Sequence, residues 1–158
     1  MNYAEKIGEL LTQKSWQIST TESCTGGLLS SKLTDISGSS AYITLNLVTY
    51  ANEVKNKVLG VTKHTLDTCG AVSEECAYEM AKGLHKLTNS DICVSTTGIA
   101  GPTGGTSEKP VGLMYSVIYT ETRAQKYKIQ VNPNLSRIEI KEEFANQVLK
   151  NIYEFLIQ

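Results

Sequence analysis

Histidine is scarce in this chain: among 158 residues there are two, His64 and His85. Neither lies beside a glycine-rich or nucleophile-like turn, so a serine–histidine–aspartate triad is not indicated. The four cysteines form no C-x-x-C pair, and with so few histidines the sequence gives little support to a zinc site. Any hydrolytic chemistry must therefore use another base.

Long apolar runs and an excess of basic charge are also missing. No apolar run approaches the roughly 18 residues of a membrane-spanning helix, and the N-terminus has no apolar signal-peptide core. Fifteen Lys and Arg face sixteen acids, giving a net charge of −1, which argues against a general nucleic-acid binder. We expect a cytoplasmic protein with free thiols, and neither a membrane nor a nucleic acid as partner.

Proline is rare as well, with three residues, and neither a repeat nor a linker interrupts the chain. One domain over residues 1–158 is therefore expected. Apolar periodicity and caps predict helices at 2–14, 28–37, 52–60, 73–87 and 138–156. Asn52 is expected to cap the third helix, and Leu87 and Ile138 are expected in the apolar stripes of the last two. Runs of β-branched and aromatic residues predict strands at 16–21, 41–51, 91–97, 111–120 and 124–131. The alternation predicts a three-layer α/β/α fold with a mixed, mostly parallel sheet of about five strands and a C-terminal hairpin.

One strand-to-helix junction, Thr20–Gly27, collects hydroxyls, a carboxylate and two glycines. Ligands of α/β sheets bind beyond the carboxyl ends of the strands. A helix N-terminus at this place offers free N–H groups and a positive dipole to an oxyanion or a phosphate. A helix cap followed by a flexible turn explains the same residues equally well.

Two further segments invite a functional interpretation. The loop Gly98–Gly105 has neither the lysine of a Walker P-loop nor the G-x-G-x-x-G spacing, so it is either a connection or a fixed backbone close to a ligand. Tyr50 ends a predicted strand and Lys55 lies one turn into the next helix. Both side chains then point into one cleft, unless Tyr50 packs in the core and Lys55 is solvated.

Together, four segments resemble the CinA C-terminal domain family, whose stand-alone members are nicotinamide-nucleotide amidases. The segments are Glu22–Gly27, Thr49–Lys55, Gly70–Ser73 and Gly98–Gly105, the last followed by Lys109–Gly112. Their order and spacing match over nearly the whole chain. The resemblance implies hydrolysis of the carboxamide of nicotinamide mononucleotide to nicotinate mononucleotide and ammonia. It also implies a serine amidohydrolase that needs neither a metal nor a cofactor.

The resemblance assigns the catalytic roles. Ser23 matches the nucleophile, and Tyr50 with Lys55 matches its partners. A lysine acts as base only if its pKa, about 10.4 when free, is lowered by desolvation or a nearby positive charge. Tyr50 would relay the proton or orient Lys55. The oxyanion hole is expected from the N–H groups around Cys24, Thr25 and Gly26.

The family match also predicts how the substrate is held. Arg137 is expected to bind its phosphate, since a guanidinium forms bidentate contacts with phosphate. The other wall of the pocket is expected from Thr97, Gly98, Gly101, Gly104 and Gly105. A pyridine mononucleotide is the expected partner, and the chain is expected to form a homodimer or a higher homo-oligomer.

Some positions depart from the family pattern. Leu45 and Asn46 stand where glycine is usual, and Lys141 stands where arginine is common. These departures leave open a nucleotide-binding protein without turnover, linked to competence or DNA damage as the family name suggests. A second alternative uses Cys24 as a thiol nucleophile. The N-terminal domain of full-length CinA proteins is expected to be absent, and its pyrophosphatase activity with it.

Overall fold

Helices cover both faces of a central sheet, which gives the three-layer α/β/α arrangement predicted from the sequence. The computed structural model describes residues 1–158. The helices are α1 (Tyr3–Lys14), α2 (Leu28–Thr34), α3 (Asn52–Leu59), α4 (Lys63–Thr68), α5 (Glu74–Thr88) and α6 (Arg137–Leu156), with a 3₁₀-helix at Ser39–Ala41. The strands are β1 (Ile18–Glu22), β2 (Ile43–Val48), β3 (Ile92–Gly98), β4 (Leu113–Tyr119) and β5 (Ala124–Gln130).

The five strands form one sheet in the order β2-β1-β3-β4-β5. Strand β1 pairs in parallel with both β2 and β3, while the pairs β3–β4 and β4–β5 are antiparallel. The predicted mixed sheet and C-terminal hairpin are confirmed, and the pairings divide evenly between the two orientations. Strand β4 runs against β3 because a loop without a crossover helix returns the chain at the same edge of the sheet.

Local signals explain most helix starts, with one correction. Asn2, Ser73 and Ser136 each cap a helix through the side chain, and Ser136 forms a capping box with Glu139. The prediction that Asn52 caps α3 is wrong. The extended residue before this helix is Ala51, which gives no side-chain bond, and Asn52 is already helical.

Other differences arise at short elements and helix ends. Helix α4 and the 3₁₀-helix were not predicted, because pieces of six and three residues are too short to show an apolar period. Strand β2 and helix α2 are shorter than expected. Leu87 and Ile138, expected in apolar stripes, are exposed, and each lies in a terminal turn of its helix.

The larger part of the core lies between the sheet and the layer formed by α1, α2 and α6. Its largest fully buried side chains include Phe144 of α6, Leu11 of α1 and Leu29 of α2. On the opposite face, α5 packs Met80 and Leu84 with the end of α3. None of the helices combines the length and the apolar character needed to cross a membrane.

Helix α5 approaches the end of α3 so closely that one position admits no side chain. A Cβ at Gly83 would lie 1.8 Å from the carbonyl oxygen of Leu59, one helical turn after Lys55. Replacing glycine by alanine inside a helix ordinarily stabilises it by up to about 1 kcal/mol. At this position the backbone of α3 would have to move instead.

We therefore predict that Gly83→Ala lowers the free energy of unfolding by about 1–3 kcal/mol, the usual cost of overpacking. Urea unfolding measures this free energy, and Lys86→Ala, on the exposed face of the same helix, is the matched control. A Gly83→Ala protein as stable as the control would show that the contact between α3 and α5 is not tight.

Candidate active site

The carboxyl ends of the three parallel strands β1, β2 and β3 lie at one edge of the sheet. Strand β1 leads into the segment Ser23–Gly27, which we call the nucleophile loop, and β2 leads to Tyr50 and α3. Strand β3 leads into the glycine-rich loop of residues 99–112, and α6 begins at the same edge because the preceding β5 ends there. Segments far apart in the sequence therefore meet at this edge, as expected for a ligand site in an α/β sheet.

Ser23 and Lys55 form the central pair of this edge. The Nζ atom of Lys55 lies 3.0 Å from the Oγ atom of Ser23. Lys55 is 1% exposed and Ser23 is 9% exposed. A serine hydroxyl within hydrogen-bond distance of an amine has the geometry of a nucleophile beside its base.

Tyr50 joins this pair through its backbone and not through its phenol. Its carbonyl oxygen accepts a hydrogen bond from Lys55 Nζ at 2.7 Å, and its side chain is 59% exposed. The phenol oxygen instead accepts from Arg137 Nη2 at 3.3 Å. Of the two roles expected for Tyr50, a proton relay through the phenol is not supported, because no hydrogen bond joins that hydroxyl to Ser23 or Lys55. The other role, orienting Lys55, falls to the Tyr50 main chain.

The amine of Lys55 is buried without a counter-ion. Both of its hydrogen-bond partners are neutral oxygens, and it takes part in none of the ion pairs of the molecule. Burial lowers the pKa of Lys55 from its ordinary value of 10.5, because desolvation disfavours the ammonium form. A larger share of the amine is thus free to accept a proton near neutral pH.

The nucleophile loop leaves two backbone donors unused. The N–H groups of Ser23 and Gly26 donate to Thr96 and Ser23, but those of Cys24 and Thr25 donate to no protein acceptor. The prediction of an oxyanion hole is consistent with those two donors, whereas the N–H of Gly26 is already engaged. Gly26 has φ +61, a left-handed conformation that favours glycine.

The thiol of Cys24 does not suit a nucleophile. Its side chain is buried, and burial raises its pKa to about 12. Because the thiolate is the reactive form of cysteine, this environment suppresses the reactivity of Cys24. The alternative mechanism with a thiol nucleophile is not supported.

Most glycines at the end of β3 and in the glycine-rich loop are required by close contacts within the protein. A Cβ at Gly98 would meet the Leu113 carbonyl at 2.6 Å, and one at Gly101 or Gly105 would meet Val111 at 2.5 or 2.8 Å. The loop therefore needs these glycines to pack against its own returning strand. Gly104, with φ +89, has no such close contact, since a Cβ there would lie 3.9 Å from the Ile99 side chain.

Thr97 lies behind this wall and not on its surface. It is buried, and its hydroxyl donates to the carbonyl of Ala71 at 2.7 Å. Thr97 is predicted in the wall of the pocket, but its side chain takes no part in that wall, because β3 turns it towards the segment before α5. Thr97 thus tethers that segment to the sheet.

Two cations stand at the mouth of the site. Arg137 is exposed, and its Nη1 donates to the Gly101 carbonyl at 2.6 Å, so that it spans the cleft between the glycine-rich loop and Tyr50. Lys141 places Nζ 3.4 Å from where a Cβ of Gly26 would lie. Neither cation forms an ion pair with a carboxylate. A cavity of about 410 Å³ beside the nucleophile loop is lined by Gly26, Lys141 and their neighbours.

A family model described as the CinA C-terminal domain matches residues 1–156. The chain belongs to the CinA C-terminal domain family. The resemblance noted in the sequence is thereby confirmed.

Relatives and solved structures agree with this CinA membership. The CinA-like protein of Chloroherpeton thalassium is 47% identical over 158 residues, which are 99% of this chain and 38% of that protein. The CinA-like protein of Shewanella pealeana is 48% identical over 134 residues, 85% of this chain and 31% of that protein. The chain therefore spans about a third of the length of such relatives.

Among solved structures, the competence/damage inducible protein CihA from Agrobacterium tumefaciens superposes with a TM-score of 0.92 at 36% identity. The match covers 100% of this chain and 97% of that one. A competence damage-inducible protein A from Klebsiella pneumoniae gives a TM-score of 0.94 at 28% identity, covering 99% and 96%. The α/β fold of this chain is thus the CinA fold.

Sequence reasoning missed two buried polar residues in this CinA domain. Glu22 and Thr96 are fully buried beneath the nucleophile loop, and Thr96 contacts both Ser23 and Thr25. A carboxylate that ends a strand of otherwise buried residues was a usable signal, because carboxylates are rarely buried without partners. Of the residues that depart from the family pattern, Asn46 lies in β2, where it accepts a hydrogen bond from Thr20.

Removing the buried amine should change how stability depends on pH. In wild type, the pKa of Lys55 is 10.5 in the unfolded chain and lower in the folded chain. At a pH between these two values, Lys55 is therefore protonated more in the unfolded chain than in the folded one. The cost of burying Lys55 is therefore full below the lowered pKa and disappears as pH rises towards 10.5. We predict that Lys55→Met gains stability over wild type most at low pH, and that the gap narrows with rising pH.

Urea unfolding between pH 6 and pH 10 measures this gap. Lys57→Met, on the exposed side of α3, is the matched control and should show no such trend. A gap for Lys55→Met that is constant or widens with pH contradicts the assignment.

Proposed function

We propose that this CinA-family domain is a serine amidase that hydrolyses the carboxamide of nicotinamide mononucleotide to nicotinate mononucleotide and ammonia. The observation that carries the proposal is the distance of 3.0 Å between Ser23 Oγ and the buried Nζ of Lys55, which has no counter-ion. Serine is inert at its ordinary pKa and needs such a base. The resemblance to nicotinamide-nucleotide amidases supplies the substrate.

In the first half of the reaction, neutral Lys55 takes the proton of the Ser23 hydroxyl while Oγ attacks the amide carbon. The Tyr50 carbonyl, 2.7 Å from Nζ, holds one N–H of the amine and leaves the lone pair for Ser23. The tetrahedral intermediate carries an oxyanion. The unused N–H groups of Cys24 and Thr25 suit this oxyanion, and one such donor is worth about 3–4 kcal/mol in other acyl-transfer enzymes.

In the second half, the ammonium of Lys55 returns the proton to the departing nitrogen as the carbon–nitrogen bond breaks, and ammonia leaves. Lys55 is then neutral again and takes a proton from water, whose oxygen attacks the acyl-enzyme. Breakdown of this second intermediate releases the carboxylate and restores the Ser23 hydroxyl. The same amine thus serves as base and acid in turn.

The charge around the cleft favours an anionic substrate. Arg137 and Lys141 have no carboxylate partner, and Arg137 uses two of its five N–H donors on neutral oxygens. A mononucleotide brings a phosphate, which pairs well with a guanidinium. We assign the phosphate to Arg137, with Lys141 adding positive potential.

The first test is ammonia release from nicotinamide mononucleotide. We predict that Ser23→Ala lowers kcat by roughly 10⁴-fold or more, since the nucleophile is lost, and that Lys55→Met lowers it by at least about 10²-fold, the usual contribution of a general base. Cys24→Ala keeps the backbone donor and should retain most of the activity. A coupled assay for ammonia measures all four proteins.

Two outcomes would contradict this assignment. Equal rates in wild type and Ser23→Ala would exclude Ser23 as the nucleophile. Calorimetric binding of the mononucleotide with no ammonia over hours would favour the binding protein without turnover.

The second test is the pH dependence of kcat/KM. Because the base is the neutral form of Lys55, activity should fall on acidification through one ionisation below 10.5, provided that chemistry limits the rate. Tyr50→Phe keeps the carbonyl that contacts Lys55 and should keep this ionisation, with its loss confined to the contact with Arg137. A profile that is flat from acid to alkali argues against a lysine base.

A further inference from the structure

Glu22 is a fully buried carboxylate directly before the nucleophile, and the mechanism above does not use it. Its Oε1 accepts from the hydroxyl of Thr25 and from the N–H of Leu29. Its Oε2 accepts from both the hydroxyl and the N–H of Ser30. Four donors match the lone pairs of an ionised carboxylate, which donates nothing in return.

This acceptor fixes the direction of the neighbouring hydrogen bonds. The only hydroxyl proton of Thr25 goes to Glu22, so Thr25 Oγ1 must accept in its contact of 2.9 Å with Thr96 Oγ1. The hydroxyl of Thr96 therefore donates to Thr25. Its oxygen accepts from the N–H of Ser23 at 3.4 Å, beside the shorter bond of 3.0 Å from that N–H to the Thr96 carbonyl.

The result is an ordered clamp, defined by Glu22, Thr25 and Thr96. It joins the end of β1, the middle of the nucleophile loop and the end of β3 beneath Ser23. Sheet register brings the parts together, because Glu22 pairs with Thr96 across β1 and β3. Since hydrogen bonds to an ionised group are stronger than neutral ones, the carboxylate anchors the whole arrangement.

A plain helix cap does not explain the clamp. Helix α2 has Gly27 at its N-cap with no side-chain bond, so Glu22 does cap α2 through Leu29 and Ser30. The cap, however, needs neither the Thr25 hydroxyl nor Thr96. These two residues extend the contact from the helix to the segment that bears Ser23 and the unused N–H groups of Cys24 and Thr25.

We propose that Glu22 is a positioning residue, which acts through Thr25 and Thr96 to hold Ser23 and the two free backbone donors in reactive geometry. The proposal rests on the proposed function in that Ser23 is the nucleophile. Misplacement of reacting groups by about 1 Å can cost 10²-fold in rate. The clamp resists this movement, because the Thr25 side chain is hydrogen-bonded both to Glu22 of β1 and to Thr96 of β3.

The experiment breaks the clamp while leaving the cap intact. Thr25→Val removes the hydroxyl between Glu22 and Thr96, whereas Thr25→Ser keeps it. Ser116→Ala is the matched control, because Ser116 pairs with Thr96 in the same row of the sheet and is fully buried, but its hydroxyl has no hydrogen-bond partner. Glu22→Gln tests the anchor itself, since its amide N–H₂ would face two donors.

The readout is the rate at which diisopropyl fluorophosphate labels Ser23, measured by intact mass under conditions where every variant is folded by circular dichroism. In this step the Ser23 Oγ–phosphorus bond forms, fluoride leaves and Lys55 takes the proton. We expect at least a tenfold slower rate for Thr25→Val and Glu22→Gln. For Thr25→Ser we expect a rate within threefold of wild type, and for Ser116→Ala within twofold. In the ammonia assay, kcat of Thr25→Val should fall with KM nearly unchanged.

Three results would overturn the proposal: a wild-type rate for Thr25→Val, an equally slow rate for Thr25→Ser, which would point to methyl packing, or no labelling of the wild type at all. If the wild type is labelled but releases no ammonia from nicotinamide mononucleotide, the proposed function fails. In that case the ratio of labelling rates still supports or overturns the role of Glu22.

Discussion

The site depends on keeping a primary amine out of water without giving it an anion. Lys55 of α3 is 1% exposed, and its amine contacts a serine hydroxyl and a main-chain carbonyl. A carboxylate at either place would stabilise the ammonium and remove the base. The nearest buried carboxylate, Glu22, is saturated by four other donors and turned towards α2. The fold thus separates a buried acid from a buried amine that are both close to Ser23.

This separation follows from the alternation of side chains along β1. Glu22 shares its face of the sheet with Thr20, whose hydroxyl contacts Ser30 of α2. Thr21 points to the other face and bonds Thr49, which begins the segment that leads to Lys55. The close contact of Gly83 with Leu59 then fixes α3 against α5. The alternation along β1 therefore directs the carboxylate of Glu22 towards α2, whereas the amine of Lys55 belongs to the layer of helices on the other face.

Much of the fold was predictable, because apolar periods and turn residues are local signals. The orientation of β4 relative to β3 was not predicted, because no local pattern encodes it. Helix α4 was not predicted either, because it is too short to show an apolar period. In the site, the pairing of Ser23 with Lys55 followed from the family resemblance. That Lys55 contacts the Tyr50 carbonyl and not its phenol could not be predicted, because every residue has a carbonyl and the sequence does not tell which atom is used. The clamp beneath Ser23 depends on the register of β1 with β3, which appears only when residues some seventy positions apart are paired.

The central position of β1 has a consequence for how the chain acquires its chemistry. Strand β1 is bordered by β2 and by β3, and the chain between β1 and β3 contains α2, β2, α3, α4 and α5. Contacts between such distant segments form late, because closing long loops costs entropy before the contacts repay it. A partly folded chain has a solvated Lys55 with an ordinary affinity for protons and a Ser23 without its neighbours. The buried amine beside Ser23 is therefore a property of the completed sheet and not of any one segment of the chain.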